Sequence, residues 1–179
     1  RMGRLTITSF MSIDGVVEAP GGEPDYAHTN WVPRFKDRGQ FAYKLDEILA
    51  AEVTLLGRIT YESFAGAWPE REGPMAEKLN TMPKVVVSTT LQQADWHNST
   101  ILRDNIPAEI SAMKARTTGE ILVQGSRTLI QTLKTHDLID RYRVMIFPII
   151  LGSGFRLFDE TPEALQLTLT DVQRFDDAC

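Results

Sequence analysis

Three short apolar runs in this chain end in the same kind of turn. Val53-Thr54-Leu55-Leu56 stops at Gly57-Arg58, Lys84-Val85-Val86-Val87 stops at Ser88-Thr89-Thr90, and Glu120-Ile121-Leu122-Val123 stops at Gln124-Gly125-Ser126. Each run reads as a buried strand, and two of the turns lead into helical patterns. The first helix is expected over Thr60 to Ala67, with Thr60 as N-cap. The second is expected from about Arg127 to Thr135, with Leu129, Ile130 and Leu133 turned inward. Strands alternating with helices predict an α/β fold.

The rest of the chain fits that plan. Leu5-Thr6-Ile7-Thr8-Ser9-Phe10 alternates as a strand does and runs into Met11-Ser12-Ile13-Asp14-Gly15, where glycine permits a sharp change of direction. Residues 18–40 carry Pro20, Gly21, Gly22, Pro24, Pro33 and Gly39 and read as a long irregular loop. Phe41, Leu45, Ile48 and Leu49 then fall on one helix face. Ser99 to Leu102 is a short strand, and Pro107 opens a helix with Ile106, Ile110 and Met113 on its apolar side. Arg141 to Ile150 is an apolar strand interrupted at Pro148, followed by the glycine loop Leu151-Gly152-Ser153-Gly154-Phe155. Leu165-Gln166-Leu167-Thr168-Leu169-Thr170 alternates cleanly and is expected to form a last, antiparallel strand. No linker interrupts the chain, and its 179 residues suit a single domain over 1–179.

Composition narrows the function classes. Lys plus Arg total 19 against 24 for Asp plus Glu, so the net charge is −5, without the basic footprint of a nucleic-acid binder. No stretch reaches the roughly 18 apolar residues of a membrane span. A strand-like pattern begins at Arg4 and leaves no room for a signal peptide, as expected of a cytoplasmic protein. Cys179 is the only cysteine, which excludes an internal disulfide and a cysteine-built zinc site. His28, His97 and His136 share no ligand spacing, so no metal is expected. Ser153 stands in Gly-Ser-Gly without a nucleophile-elbow context, which leaves a hydrolase unsupported.

The three strand ends carry the chemistry. Ligands of open α/β sheets bind beyond the carboxyl ends of the strands, and free N–H groups at a helix start suit a phosphate. Glycine there admits a ligand close to the backbone, and Arg58 and Arg103 supply charge for a further phosphate. Together they point to a dinucleotide lying across several strand ends, although no GxGxxG fingerprint is present.

The run Leu55-Leu56-Gly57-Arg58-Ile59-Thr60-Tyr61-Glu62-Ser63-Phe64 resembles the glycine-arginine-x-threonine-aromatic-glutamate-serine motif of dihydrofolate reductases. Met11 to Gly15 resembles the opening of the riboflavin-pathway reductase domain, the RibD C-terminal domain, and Ile121 to Ser126, Leu138-Ile139-Asp140 and Phe147 to Gly154 are similar to small stand-alone members of that family. The resemblance spans about residues 4 to 172. It implies a dihydrofolate-reductase-like three-layer fold: a mixed, mostly parallel central sheet flanked by helices, with NADPH across it. Gly57, Arg58 and Thr60 would take the adenosine-side phosphates and pyrophosphate. Ser88 and Thr89, assisted by Arg103, would hold the 2′-phosphate. Gln124, Gly125, Ser126, Arg127 and Thr128 would form the turn under the pyrophosphate and nicotinamide ribose.

On the substrate side the chain departs from both families. The start of the first helix reads Gln40-Phe41-Ala42-Tyr43, without the pterin-binding acid, and Val123 stands near a glutamate position of the riboflavin-pathway reductases. Asp14 is the candidate for polarising a small cyclic substrate or orienting a water; its alternative is a turn ahead of Gly15. Met11 and Phe155 are candidate pocket walls, and Trp31 is a candidate stacking surface or a loop anchor. The resemblance further implies a homodimer, for which 142–150 and 165–170 offer an edge or face. A nucleotide-binding module without turnover, and a flavin-dependent variant, remain alternatives to the NADPH-dependent reductase.

Overall fold

A computed structural model describes residues 2–176 and Ala178. The strands are β1 (Arg4–Ser12), β2 (Ala51–Gly57), β3 (Lys84–Val87), β4 (Ser99–Leu102), β5 (Glu120–Val123) and β6 (Arg141–Phe147). The helices are α1 (Arg38–Ala50), α2 (Arg58–Ala67), α3 (Pro74–Thr81), α4 (Ile106–Arg116) and α5 (Arg127–Thr135). The strands form one sheet in the order β4-β3-β2-β5-β1-β6. Two compact units divide the chain: the segment up to Thr8 with Tyr43–Arg143, and Ser9–Ala42 with the segment from Val144 onward.

In the first unit, β1 with β5, β2 with β5, β2 with β3, and β3 with β4 all pair in parallel. Leu55, Leu56, Val86, Ile121 and Leu122 are wholly buried, as strands covered on both faces require. Ile48, Tyr61, Leu79, Met82 and Trp96 pack into the same core. A cation also lies inside. Lys84 is buried; its ammonium donates to the carbonyls of Leu79 (2.7 Å) and Met82 (2.9 Å) and lies 4.3 Å from the Trp96 ring centroid. It thereby neutralises the carbonyl end of α3.

Several boundaries differ from expectation for local reasons. Gly57, not Thr60, is the N-cap of α2, because the strand passes into the helix without a spacer. Of the apolar face expected on α1, Ile48 is buried while Phe41 and Leu49 are exposed. Helix α3 was not expected: it is eight residues long, starts on proline and buries only Ala76 and Leu79, too little to show a period. Strand β6 ends at Phe147, before the proline that lacks a ladder donor.

The second unit is built around Phe147, whose ring meets Phe10, Trp31 and Phe35 at centroid distances of 5.7, 5.5 and 5.1 Å. The 16–37 loop is irregular apart from a short 3-10 turn at Val32–Arg34, and it is well tied. Trp31 is wholly buried and donates its indole N–H to the Glu18 carbonyl (2.9 Å), while Tyr26 donates its hydroxyl to the Ser153 carbonyl (2.7 Å). An antiparallel bridge joins Val16 to Arg156. The strand expected over 165–170 does not form: those residues belong to no ladder, and Leu165, Leu167 and Leu169 are exposed. Alternation supplies a strand's pattern, but a strand also needs a neighbour for its backbone groups.

Candidate functional site

The three predicted turns lie at the carboxyl ends of adjacent strands. In the register of the sheet Gly57 stands opposite Val87 and Leu55 opposite Val123, so the turns after β3, β2 and β5 emerge side by side. The Gly57 N–H donates to the Gly125 carbonyl (2.9 Å), joining two of them. A side chain on Gly57 would meet Ser126, with the added carbon 2.8 Å from Ser126 Cβ and 2.9 Å from its backbone nitrogen. On Gly125, at φ +116°, it would meet Thr60 Oγ1 at 2.8 Å. The peptide between Gly125 and Ser126 is cis.

Helices α2 and α5 therefore begin next to each other; the α2 N-cap is Gly57, and the Ser126 side chain makes no capping hydrogen bond to α5. Two positive helix ends in one place are a site for a polyanion. Arg58 is partly exposed, held by an ion pair to Glu62 (2.9 Å) that solvent weakens. Ser88 is buried and accepts from the N–H groups of Thr90 (3.2 Å) and Leu91 (3.0 Å), which shapes its turn; Thr89 is exposed. Arg103 donates to the Gln92 carbonyl (3.3 Å), and Gln124 donates to Thr54 Oγ1 (3.1 Å). Arg127 is half-buried and Thr128 exposed at the start of α5.

A buried ionic cluster in the same unit was not anticipated. Glu47 on α1 accepts from Thr8 (2.7 Å) and Lys44 (2.8 Å), and its other oxygen lies 3.6 Å from the Arg143 guanidinium. Arg143 also donates to Glu120 (2.8 Å), which accepts from Thr6 (2.5 Å). Burial pushes the Lys44 ammonium below its usual range, against the pull of Glu47. The signal was faint: Thr6 and Thr8 alternate with Leu5 and Ile7 as though facing solvent, yet all four are buried.

In the second unit Asp14 is a fastening group. Its carboxylate accepts from the Ser12 hydroxyl (2.6 Å) and from the N–H groups of Leu151 (3.2 Å) and Gly152 (2.8 Å). The Ser12 hydrogen bond, followed by those two amides, outweighs burial and holds its pKa down at about 2. Glu18 does the same for the Phe155 N–H (2.8 Å). Met11 is half-buried and Phe155 exposed, whereas Trp31, wholly buried, is the anchor of its loop and presents no stacking surface.

A separate open pocket of about 740 Å³ lies between α2 and residues 91–97, lined by Tyr61, Leu91, Trp96 and His97 among others. None of the predicted site residues lines it. Three of its lining residues are joined: Trp96 donates its indole N–H to Asn80 Oδ1 (2.8 Å) and its backbone N–H to the Tyr61 hydroxyl (3.1 Å). Among the described residues there is no acid or histidine cluster for a metal and no helix long and apolar enough to cross a membrane.

Comparison with known proteins gives consistent results. A sequence model of the RibD C-terminal domain matches residues 4–179. Two Bacillus subtilis (strain 168) proteins, both described as uncharacterized, are similar over nearly the whole chain. YyaP is 27% identical, covering 96% of this chain and 89% of that protein. YwjB is 26% identical, covering 99% and 95%. Among solved structures, a protein of Shewanella sp. PV-4 assigned to riboflavin biosynthesis superposes with TM-score 0.63 at 22% identity, over 91% of this chain and 87% of that one. Dihydrofolate reductase of Enterococcus faecalis, complexed with NADP(H) and RAB-propyl, superposes with TM-score 0.58 at 17% identity, over 90% and 80%. The fold is that of dihydrofolate reductase, as the sequence motifs led one to expect.

Proposed function

The chain belongs to the RibD C-terminal domain family, and on that footing we propose that it is an NADPH-dependent reductase acting on a small cyclic acceptor of pterin or pyrimidine type. The observation that carries the reading is the juxtaposition of Gly57 with Gly125 and Ser126 at the start of two helices. Glycine is required there by space, and two helix N-termini side by side present their positive ends to a pyrophosphate. The residues present fit the cofactor: Gly57, Thr60 and the Gln124–Thr128 turn for the pyrophosphate and ribose, with Arg58, Thr89 and Arg103 around the 2′-phosphate. Ser88 contributes through the turn it shapes.

NADPH supplies a hydride when bound; the chain has to orient the acceptor and manage one proton. Asp14 is ionised at neutral pH and engaged by three donors, so it suits orienting the Leu151–Gly152 backbone and a water better than giving up a proton itself. Met11 and Phe155 are proposed as apolar walls on the acceptor side.

One observation favours a second reading, a nucleotide-binding module without turnover: the first helix begins Gln40-Phe41-Ala42-Tyr43, where dihydrofolate reductases carry an acid. Titration with NADPH and with NADH, followed by quenching of the three tryptophans, tests what the readings share. Binding with clear preference for NADPH is expected, and no binding of either at millimolar concentration would overturn both. Oxidation of NADPH with a pterin, pyrimidine or quinone-like acceptor then separates them.

A further inference from the structure

The open pocket between α2 and residues 91–97 lies wholly in the first unit and is lined by none of the residues assigned to the cofactor. At about 740 Å³ it has the size of a small-molecule site. Tyr61, Leu91 and Trp96 make one side apolar and aromatic, and the hydrogen bonds from Trp96 to Asn80 and to Tyr61 hold that side in place. Tyr61 is 4% exposed. Among the described residues its hydroxyl makes no hydrogen bond beyond the one it accepts from Trp96, so a proton and a lone pair stay unspent.

Ala65 and Gly66 form the wall that α2 contributes. Gly66 stands in the last turn of the helix without a positive φ, so no backbone requirement calls for glycine, and glycine weakens a helix relative to alanine. A carbon added there would meet nothing within 4 Å. Neither strain nor crowding accounts for the missing side chain. Its absence leaves room over the helix backbone.

The charge of the pocket is one-sided. The carboxylates of Glu62 and Asp95 line it, and no Lys or Arg does. Glu62 is met by Arg58 (2.9 Å), whereas the exposed Asp95 carboxylate forms no hydrogen bond or ion pair among the described residues. Lys84, 4.3 Å from the Trp96 ring centroid, gives its ammonium to the Leu79 and Met82 carbonyls and does not line the pocket. Such a wall repels anions, phosphate-bearing ligands included. The geometry points to a second ligand site here, for a planar aromatic cation of amidine type, its ring against Tyr61, Leu91 and Trp96 and its N–H edge on the Asp95 carboxylate. An amidinium matches a carboxylate with two parallel hydrogen bonds, as a guanidinium does, and a flat ring fits a wall that carries no side chain at Gly66. The inference is independent of the reductase reading, since it uses no residue assigned to the cofactor.

Calorimetric titration with benzamidine, benzamide and benzoate, three rings of one shape that differ in charge, tests it. The titrations are run at pH 8, where histidines such as the lining His97 are ordinarily neutral. The native chain is expected to bind benzamidine with a Kd below about 1 mM, benzamide roughly tenfold more weakly or worse, and benzoate not at all. Gly66→Leu, which fills the open room, should melt no lower than the native chain and weaken benzamidine binding roughly tenfold or more. Asp95→Asn should remove the advantage of benzamidine over benzamide, and covers the case in which the leucine disturbs α2. Saturating NADPH should leave benzamidine bound. No binding of benzamidine by the native chain would overturn the inference, as would equal affinity for benzamide or undiminished binding by a folded Gly66→Leu. Displacement by NADPH would overturn it in favour of a part of the cofactor site.

Discussion

Ser126 occupies the space in which Gly57 would carry a side chain, and its backbone nitrogen lies 2.9 Å from where that carbon would stand. Two helix starts are brought together by the absence of one carbon atom. Gly57→Ala should therefore push the turns apart, lowering stability by about 1–3 kcal/mol and abolishing nucleotide binding. Denaturant melts of Gly57→Ala and of Gly57→Ala with Ser126→Gly would check this. The second variant should recover part of the stability, because the side-chain clash is removed and the backbone contact stays.

Arg58→Ala separates charge recognition from structure. The Arg58–Glu62 pair is exposed, so its loss should change stability by no more than about 0.5 kcal/mol. The preference for NADPH over NADH should fall roughly tenfold or more, the worth of a charge-assisted contact to phosphate. Parallel titrations with the two nucleotides would show it; an unchanged preference would remove Arg58 from the 2′-phosphate site.

The turn at Gly57-Arg58 was legible as a strand end leading into a helix, because it combines a local pattern, an apolar run, with a residue whose meaning is local, glycine at a strand end. Glu47 and Lys44 were not legible. Charges three apart on a helix look like a solvated face, and what buries them is Thr8, 39 residues before Glu47, together with Arg143 on the last strand. The burial of Trp31 was equally hidden, because an irregular loop has no period to read. Residues 165–170 fail in the opposite direction: the alternation is clear, but these residues belong to no ladder.

Removing Glu47 should expose the cost of that cluster. Glu47→Ala leaves the half-buried Lys44 ammonium without its carboxylate and should destabilise by about 2–4 kcal/mol, somewhat less than for a fully buried pair. Replacing both, Lys44→Met with Glu47→Leu, should regain most of the loss, since a buried pair returns little net energy over apolar packing. Urea midpoints of the native chain, the single variant and the double variant give the comparison.

Asp14 predicts an acid-side dependence. Its folded pKa, about 2, lies below the ordinary 3.8, so the unfolded chain takes up the proton first as pH falls. The contribution is complete above about pH 4, is lost toward pH 2, and is on the order of 1 kcal/mol after solvent screening. In Asp14→Asn the gap in stability from the native chain should be steady from pH 7 to pH 5 and close below pH 3.

Lys84 predicts the opposite side. Burial lowers its pKa from 10.5 to about 8, so between those values the folded chain holds fewer protons than the unfolded one. This group therefore adds stability as pH rises from 8 to 10.5. In Lys84→Met that part of the slope should vanish, which melting at pH 8, 9 and 10 would reveal as a flatter profile than the native one.

The fastened loop at 16–37 has a thermodynamic consequence for whatever the second unit binds. Long irregular segments ordinarily surrender their freedom when a ligand arrives, and affinity is reduced by that ordering. Here the indole of Trp31, the hydroxyl of Tyr26 and the carboxylate of Glu18 have already collected that entropy during folding. Association on this surface should register in a calorimeter as rigid-body binding, with a heat-capacity change set by the apolar area covered and not by a loop condensing around its guest.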